Sequence, residues 1–156
     1  MSLKIRIPEK LFEKKIKDAR IGDNNFHLYP KEYIMDAQVG YKIDSNNLEI
    51  KRWTKRFGND ALVIGQSSFL YDPLITNAAD KNLPVFLLIQ ESWDVLCIAE
   101  SLEQFSLILD CIRGKDFKDK NTCDKTIKEI SKITKDNEIL GYWRNEIVIC
   151  NRKENM

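Results

Sequence analysis

Histidine is nearly missing from this chain: His27 is the only one in 156 residues. A single imidazole cannot assemble a histidine-based metal site, and the sequence suggests no partner for it in a nucleophile triad. Net charge is also lacking, with 25 lysines and arginines against 24 acids. Such a balance sets up no overall field toward nucleic acid or an anionic membrane, so any such contact needs a local patch. Cys97, Cys111, Cys123 and Cys150 are far apart, without a C-x-x-C pair, and three of them fall on or at the end of apolar runs. That placement predicts buried structural thiols rather than disulfides or a metal site. No apolar run approaches the roughly 20 residues of a membrane span. The start, MSLKIRIPEKLFEKK, is charged and has no apolar core of a signal peptide. Together these absences predict a reduced, soluble, cytoplasmic protein.

What is present is ordinary globular material. The chain is 43% hydrophobic and 31% charged, and its 156 residues fit one domain spanning 1–156. The densest apolar stretch runs from Leu62 to Leu109. It reads as four short strands and a helix: LVIG, ended by the turn residues QSS; FLYDPLI; VFLLIQ; VLCIAE; then SLEQFSLIL. Pro73 argues for an edge or bulged position in the second strand. VFLLIQ is apolar at consecutive positions, as a strand buried on both faces is. Ser101 and Gln104 form a capping box, with the Gln104 side chain expected on the Ser101 N–H. Leu102, Phe105, Ile108, Leu109 and Ile112 line one face of the helix, and Gly114 stops it.

Around this stretch the spacing predicts further helices. Pro8 starts one with Phe12, Ile16 and Ala19 as its stripe, closed by the turn Gly22–Asn25. A short helix or strand is expected near Glu32–Ala37, with the rest of 26–47 unassigned. Leu48, Ile50, Trp53 and Phe57 mark another helix, capped by Asn46 or Asn47, with Lys51, Arg52, Lys55 and Arg56 on its wet face. Cys123, Ile127, Ile130 and Thr134 mark a third. ILGYW and EIVIC read as two closing strands.

No arrangement of these residues calls for catalysis. Gly65-Gln66-Ser67-Ser68 lacks the glycines of a phosphate loop and the pattern of a nucleophile elbow. Asp72, Asp80, Asp94 and Glu100 are carboxylates at strand ends, where solvated turn residues are expected. Convergence of two of them in a pocket would mark a small enzyme or a small-ligand site. The basic cluster Lys51–Arg56 with interleaved aromatics is the local case for nucleic acid, although an amphipathic helix explains the same pattern. Trp93 stands at a turn between strands, positioned to anchor it into the core or to line a recognition groove.

The order of these pieces resembles the SUKH superfamily, the cell-wall-synthesis-regulator-like fold of bacterial immunity proteins. The matching run is IKRWTKRFG, ALVIGQSS, FLYDPLIT, LPVFLLIQ, SWDVLCIAE and SLEQFSLIL, covering Leu48–Leu109. The resemblance implies a single α+β domain with a mainly antiparallel sheet flanked by helices and no enzymatic activity. It also implies a protein-binding function, the neutralisation of a bacterial polymorphic toxin. Candidate partner-binding residues are Arg52, Arg56, Asp72, Trp93 and Asp94. No catalytic residue, cofactor or metal is expected.

Overall fold

A computed structural model describes residues 5–13 and 18–156 of the chain. Six strands follow one another as neighbours in a single antiparallel sheet: β1 (Asp18–Ile21), β2 (Asn24–Leu28), β3 (Ala61–Ser67), β4 (Asp72–Asn77), β5 (Val85–Ile89) and β6 (Asp94–Ala99). In such a meander every second connection lies at the same end. The β1–β2, β3–β4 and β5–β6 turns therefore share one end of the sheet.

Five helices cover the two faces: α1 (Lys31–Ala37), α2 (Lys51–Phe57), α3 (Leu102–Ile112), α4 (Lys120–Ile133) and α5 (Asn137–Glu154). Alternate strand residues point to opposite faces, and along the central strands both faces are buried. Leu62, Ile64, Leu74, Val85 and Leu87 pack with Phe105, Ile108, Trp143 and Ile147 from α3 and α5. Ala61, Val63, Ile75 and Leu88 pack with Ala37 of α1 and Trp53 of α2. A sheet covered on both faces needs consecutive apolar residues, as LVIG and VFLLI supply. The sheet curls, so that α3 and α5 touch both of its outermost strands, β1 and β6. The fold is thus α+β, an antiparallel sheet flanked by helices.

Several elements differ from the sequence reading. The Pro8 helix is a single 3-10 turn, Glu9–Phe12; Ile16 lies outside the described residues. Ala19 belongs to β1, because Gly22, at φ +61°, turns the chain back into a hairpin. A Cβ at Gly22 would also lie 2.9 Å from Cys150 Sγ. β3 continues through Gln66 and Ser67, which pair with β2 and β4. β4 begins only at Asp72, and it is central rather than an edge. Proline is tolerated there because β5 pairs only with Leu74 and Ile75, leaving Pro73 past the end of that ladder. The α2 cap is Ile50 and not an asparagine. Asn47 instead sits at φ +62° in a turn whose Asp44 carboxylate accepts the N–H groups of Asn46 and Leu48, and Leu48 is exposed. In the Ser101 box, Ser101 Oγ accepts the Gln104 N–H at 3.0 Å, but Gln104 Oε1 accepts from Glu100, one residue earlier than expected.

The largest difference is at the C-terminus, where ILGYW and EIVIC form one 18-residue helix, α5. Asp136 caps it by accepting the N–H groups of Glu138 and Ile139 at 2.9 and 3.0 Å. Ile139, Trp143, Ile147 and Cys150 then fall at i, i+4, i+8 and i+11 on the buried side. Trp143 donates its indole N–H to the Ile98 carbonyl of β6 at 2.8 Å, tying the helix to the sheet margin. No described helix is long and apolar enough to cross a membrane.

The segment between α1 and α2 seals a gap in the sheet. β2 pairs with β3 only as far as Gly65, so on that side the margin of β3 from 61 to 63 has no described strand beside it. The buried Gln38 side chain stands in for one: its Oε1 accepts the Val63 N–H at 2.9 Å and its Nε2 donates to the Val63 carbonyl at 2.7 Å. Lys42, equally buried, donates to the carbonyls of Asn59 and Ala61, the latter at 2.9 Å. Burial pushes the Lys42 ammonium below its ordinary value, against the opposing pull of Asp60 and Glu49. A few residues along, Gly65 is required by proximity: a Cβ there would stand 2.1 Å from the His27 carbonyl oxygen.

Candidate functional site

The end of the sheet that carries the three hairpin turns also carries the unusual surface chemistry. Phe69, Leu70 and Tyr71 form the β3–β4 turn and are 62%, 56% and 68% exposed. Three consecutive large apolar side chains in water are uncommon, and contiguous patches of this kind mark interaction surfaces. Tyr71 holds φ +55°, a conformation that a non-glycine residue adopts at a cost. Its carbonyl accepts from Gln90 Nε2 at 3.0 Å, and the Gln90 N–H donates to Asp72 Oδ1 at 3.1 Å. These two bonds lash the β3–β4 turn to the β5–β6 turn.

The β5–β6 turn presents Trp93, also in the left-handed region at φ +63°, with its N–H donated to the Ile89 carbonyl at 2.7 Å. The indole is half-buried and held by two partners from α2. Phe57 of α2 lies parallel to it, 5.7 Å between centroids and 12° between planes. The Arg52 guanidinium sits 3.9 Å from its centroid. The stack continues inward through Trp53, 4.6 Å from Phe57, to Tyr41, 5.9 Å from Trp53. Tyr41 in turn donates its hydroxyl to Gln90 Oε1 at 3.3 Å, which closes the circuit back to the hairpin. Trp53 is fully buried, and its indole N–H is the one buried side-chain donor among the described residues left without an acceptor. An unmet donor of this kind costs about 1–3 kcal/mol, which the packed rings of the stack must offset.

This geometry places the residues singled out from sequence. Arg52 and Trp93 meet directly, and Arg56 lies 5.2 Å from the Phe57 ring of the same stack. Asp72 is buried beneath the turns, where it holds the Gln90 backbone and is not offered at the surface. Asp94 is exposed beside Trp93, its N–H donated to Ser92 Oγ at 3.3 Å. Lys51, Arg52, Lys55 and Arg56 are all exposed on α2, with Trp53 turned inward, as the helical phase requires. The residues that sequence reasoning missed are Phe69, Leu70 and Tyr71, taken there as strand. The signal was slight: Ser68 before them and Asp72-Pro73 after them are residue types common at turns, although Asp72 and Pro73 open β4.

The other chemical candidates have local roles or stand alone. Asp80 Oδ1 accepts the Asn82 N–H in its own turn. Asp94 and Glu100 flank opposite ends of β6, about 20 Å apart at the rise of an extended strand. His27 faces Tyr29 edge-on at 5.9 Å. Tyr29 itself donates to Gln66 Oε1 at 2.8 Å, and burial, with Tyr33 and Tyr41 nearby, pushes its hydroxyl up to about 12. All four cysteines are free, and burial raises each thiol, so they stay protonated near neutrality. Among the described residues, no three of His, Cys, Asp and Glu gather as metal ligands. Comparison with protein-family models, with curated proteins and with solved structures found no match to this chain.

Proposed function

We propose that the chain is a non-enzymatic protein-binding module of the SUKH type, an immunity protein that neutralises a bacterial toxin domain. Its partner docks on the turn end of the sheet and the adjoining face of α2. The observation that carries this reading is the exposed Phe69-Leu70-Tyr71 turn beside the Arg52–Trp93–Phe57 stack. Tryptophan, tyrosine and arginine are the residue types that dominate binding energy at protein interfaces, because each buries a large rigid area around a polar group. Here Trp93 and Arg52 are pre-arranged by the ring stack, so these two side chains have little freedom left to lose on association.

The charge pattern selects the kind of partner. α2 holds Lys51, Arg52, Lys55 and Arg56 and no acid, although the whole chain is nearly neutral. An acidic protein surface with an apolar centre complements that face. Such a surface is steered by the cations and gripped by the turn.

The test is protection and binding together. Cells expressing a candidate toxin domain found in the gene neighbourhood should survive when the chain is co-expressed, and the purified pair should form a complex. Replacing Phe69, Leu70 and Tyr71 together with serine, or Trp93 with alanine, should weaken that complex by about 30-fold or more, as loss of a hot spot does. These side chains lie mostly outside the core, so the variants should keep their fold. Full protection by both variants would refute the assignment of the surface. Absence of any toxin whose effect the chain relieves would refute the function.

A further inference from the structure

We infer that the cleft between the β1–β2 turn, the β3–β4 turn and α5 binds a small organic cation, an alkylammonium on a short apolar stem. The cleft has a volume of about 330 Å³, at the lower end of the sizes that hold small molecules. It shares Phe69 with the docking surface above but rests on separate observations, those at Asn24, Glu146 and Lys153.

Three features select this ligand chemistry. The walls are apolar: Ile21, Phe69 and Ile149 line them, and Ile149 is exposed on the outer side of α5. The floor is built and rigid. Buried Asn24 accepts at Oδ1 from Ser67 Oγ at 2.7 Å and from the Phe69 N–H at 3.3 Å, and its Nδ2 donates to Glu146 Oε2 at 3.2 Å. That last bond fixes the Glu146 carboxylate and leaves its other oxygen to a ligand. The charges lining the cleft, Asp23, Glu146 and Glu154 against Lys153, favour a cation over an anion.

The chain itself already uses the aromatic wall in this way. Lys153 Nζ lies 5.0 Å from the centroid of Phe69, a cation over a π face. Lys153 is exposed near the C-terminal end of α5, free to swing away, and a ligand ammonium would take over its place between Phe69 and Glu146. The stem would lie along Ile149 and Ile21. Glu146 is suited to such a ligand because burial raises its carboxyl above the ordinary value, while Asn24 and Lys153 pull the other way. A carboxylate partly stripped of water gains more from a cation than a solvated one does.

The test uses the intact protein at low ionic strength, titrated with n-butylammonium and benzylammonium chloride and with sodium butyrate as the anionic control. Amide and side-chain NMR shifts and the thermal midpoint are followed together. Both amines should give saturable shifts confined to Asn24, Phe69 and the 146–153 stretch of α5, and butyrate should give none. Glu146→Gln, which keeps the acceptor for Asn24, should weaken amine binding at least about tenfold, equivalent to 1.4 kcal/mol. Phe69→Ala, an exposed position, should weaken it without loss of fold. Equal amine affinity in Glu146→Gln, or no saturable shift for either amine, would overturn the proposal. So would binding of Nα-acetyl-lysine amide alone, which would assign the cleft to the side chain of a protein partner.

Discussion

Replacing Gln38 with leucine removes a side chain that works as a piece of strand. The two residues are close in volume, so the packing around position 38 changes little. The hydrogen bonds change greatly. Gln38 Nε2 donates to the carbonyls of Ile34 and Val63, each at 2.7 Å, and Oε1 accepts the Val63 N–H at 2.9 Å. With leucine in place, the Val63 N–H and carbonyl face an apolar surface with no water and no strand to meet them. A buried polar group left unmet costs about 1–3 kcal/mol, so the pair costs roughly 4 kcal/mol. The greasier side chain returns about 1 kcal/mol, for a net loss of about 3 kcal/mol. For a domain of this size each 1 kcal/mol moves the melting midpoint by roughly 2–4 °C, so the expected fall is about 6–12 °C. Calorimetry measures that fall, and hydrogen exchange locates it: the Val63 amide should lose protection beyond the global change. A loss below about 1 kcal/mol, with the Val63 amide still protected, would refute the view that Gln38 completes the sheet margin.

Lys42→Met should behave differently, because it removes two hydrogen bonds and a buried charge together. The folded pKa of Lys42 lies below its unfolded value of 10.5, so the unfolded state binds more protons in the window just beneath 10.5. Stability of the parent protein therefore rises with pH through that window. The variant lacks this rise, and its deficit against the parent should widen between neutral pH and pH 10 in denaturant titrations. Gly65→Ala should destabilise by about 3 kcal/mol or more, beyond ordinary overpacking, because its Cβ meets the His27 carbonyl oxygen at 2.1 Å and β2 must move away. Chemical denaturation measures it, and a loss under 1 kcal/mol would mean that β2 and β3 separate more easily than their pairing implies. Glu146→Gln should stabilise the fold at neutral pH. The folded pKa of Glu146 is raised above 4.5, so its contribution is present below that pH and lost as pH rises through the folded value. The neutral side chain escapes that loss, and its advantage in thermal midpoint should shrink toward pH 4.

The sheet core was legible because burial writes itself into consecutive apolar residues. LVIG, VFLLI and the Phe105–Ile108–Ile112 stripe were each assigned to the right kind of element, and Ser101 to the start of α3. α5 was misread because Gly141 and the cluster Ile147-Val148-Ile149 favour strand locally. Its helical period emerges only when Ile139, Trp143, Ile147 and Cys150 are read as one series after the Asp136 cap. β1 was misread for the opposite reason: four residues are too few to show alternation, and Ala19 fits either period. At the surface, the pairing of Arg52 with Trp93 could not be read at all, since 41 positions separate them and only the packing of α2 on the sheet brings it against the β5–β6 turn. Gln38 and Lys42 likewise carry no local sign of their task, because a polar side chain that closes a strand margin looks in sequence like any solvated one.

The meander has a consequence for how this protein can change. Register in each strand pair is fixed by the buried residues on both faces, since a slip by one position would exchange the two cores. The turns at the far end are therefore free of that duty. Positions 69–71 and 91–93 can be rewritten while the sheet stays as it is, provided Ser68 and Gln90 keep their bonds. The backbone sets a further limit. Positions 71 and 93 adopt left-handed angles, φ +55° and +63°, where asparagine or glycine fits with least strain. That tyrosine and tryptophan stand there instead means that stability has been given up for shape at two points on one rim. New specificity can be grafted at those points by exchanging turns alone, with the scaffold beneath unaltered.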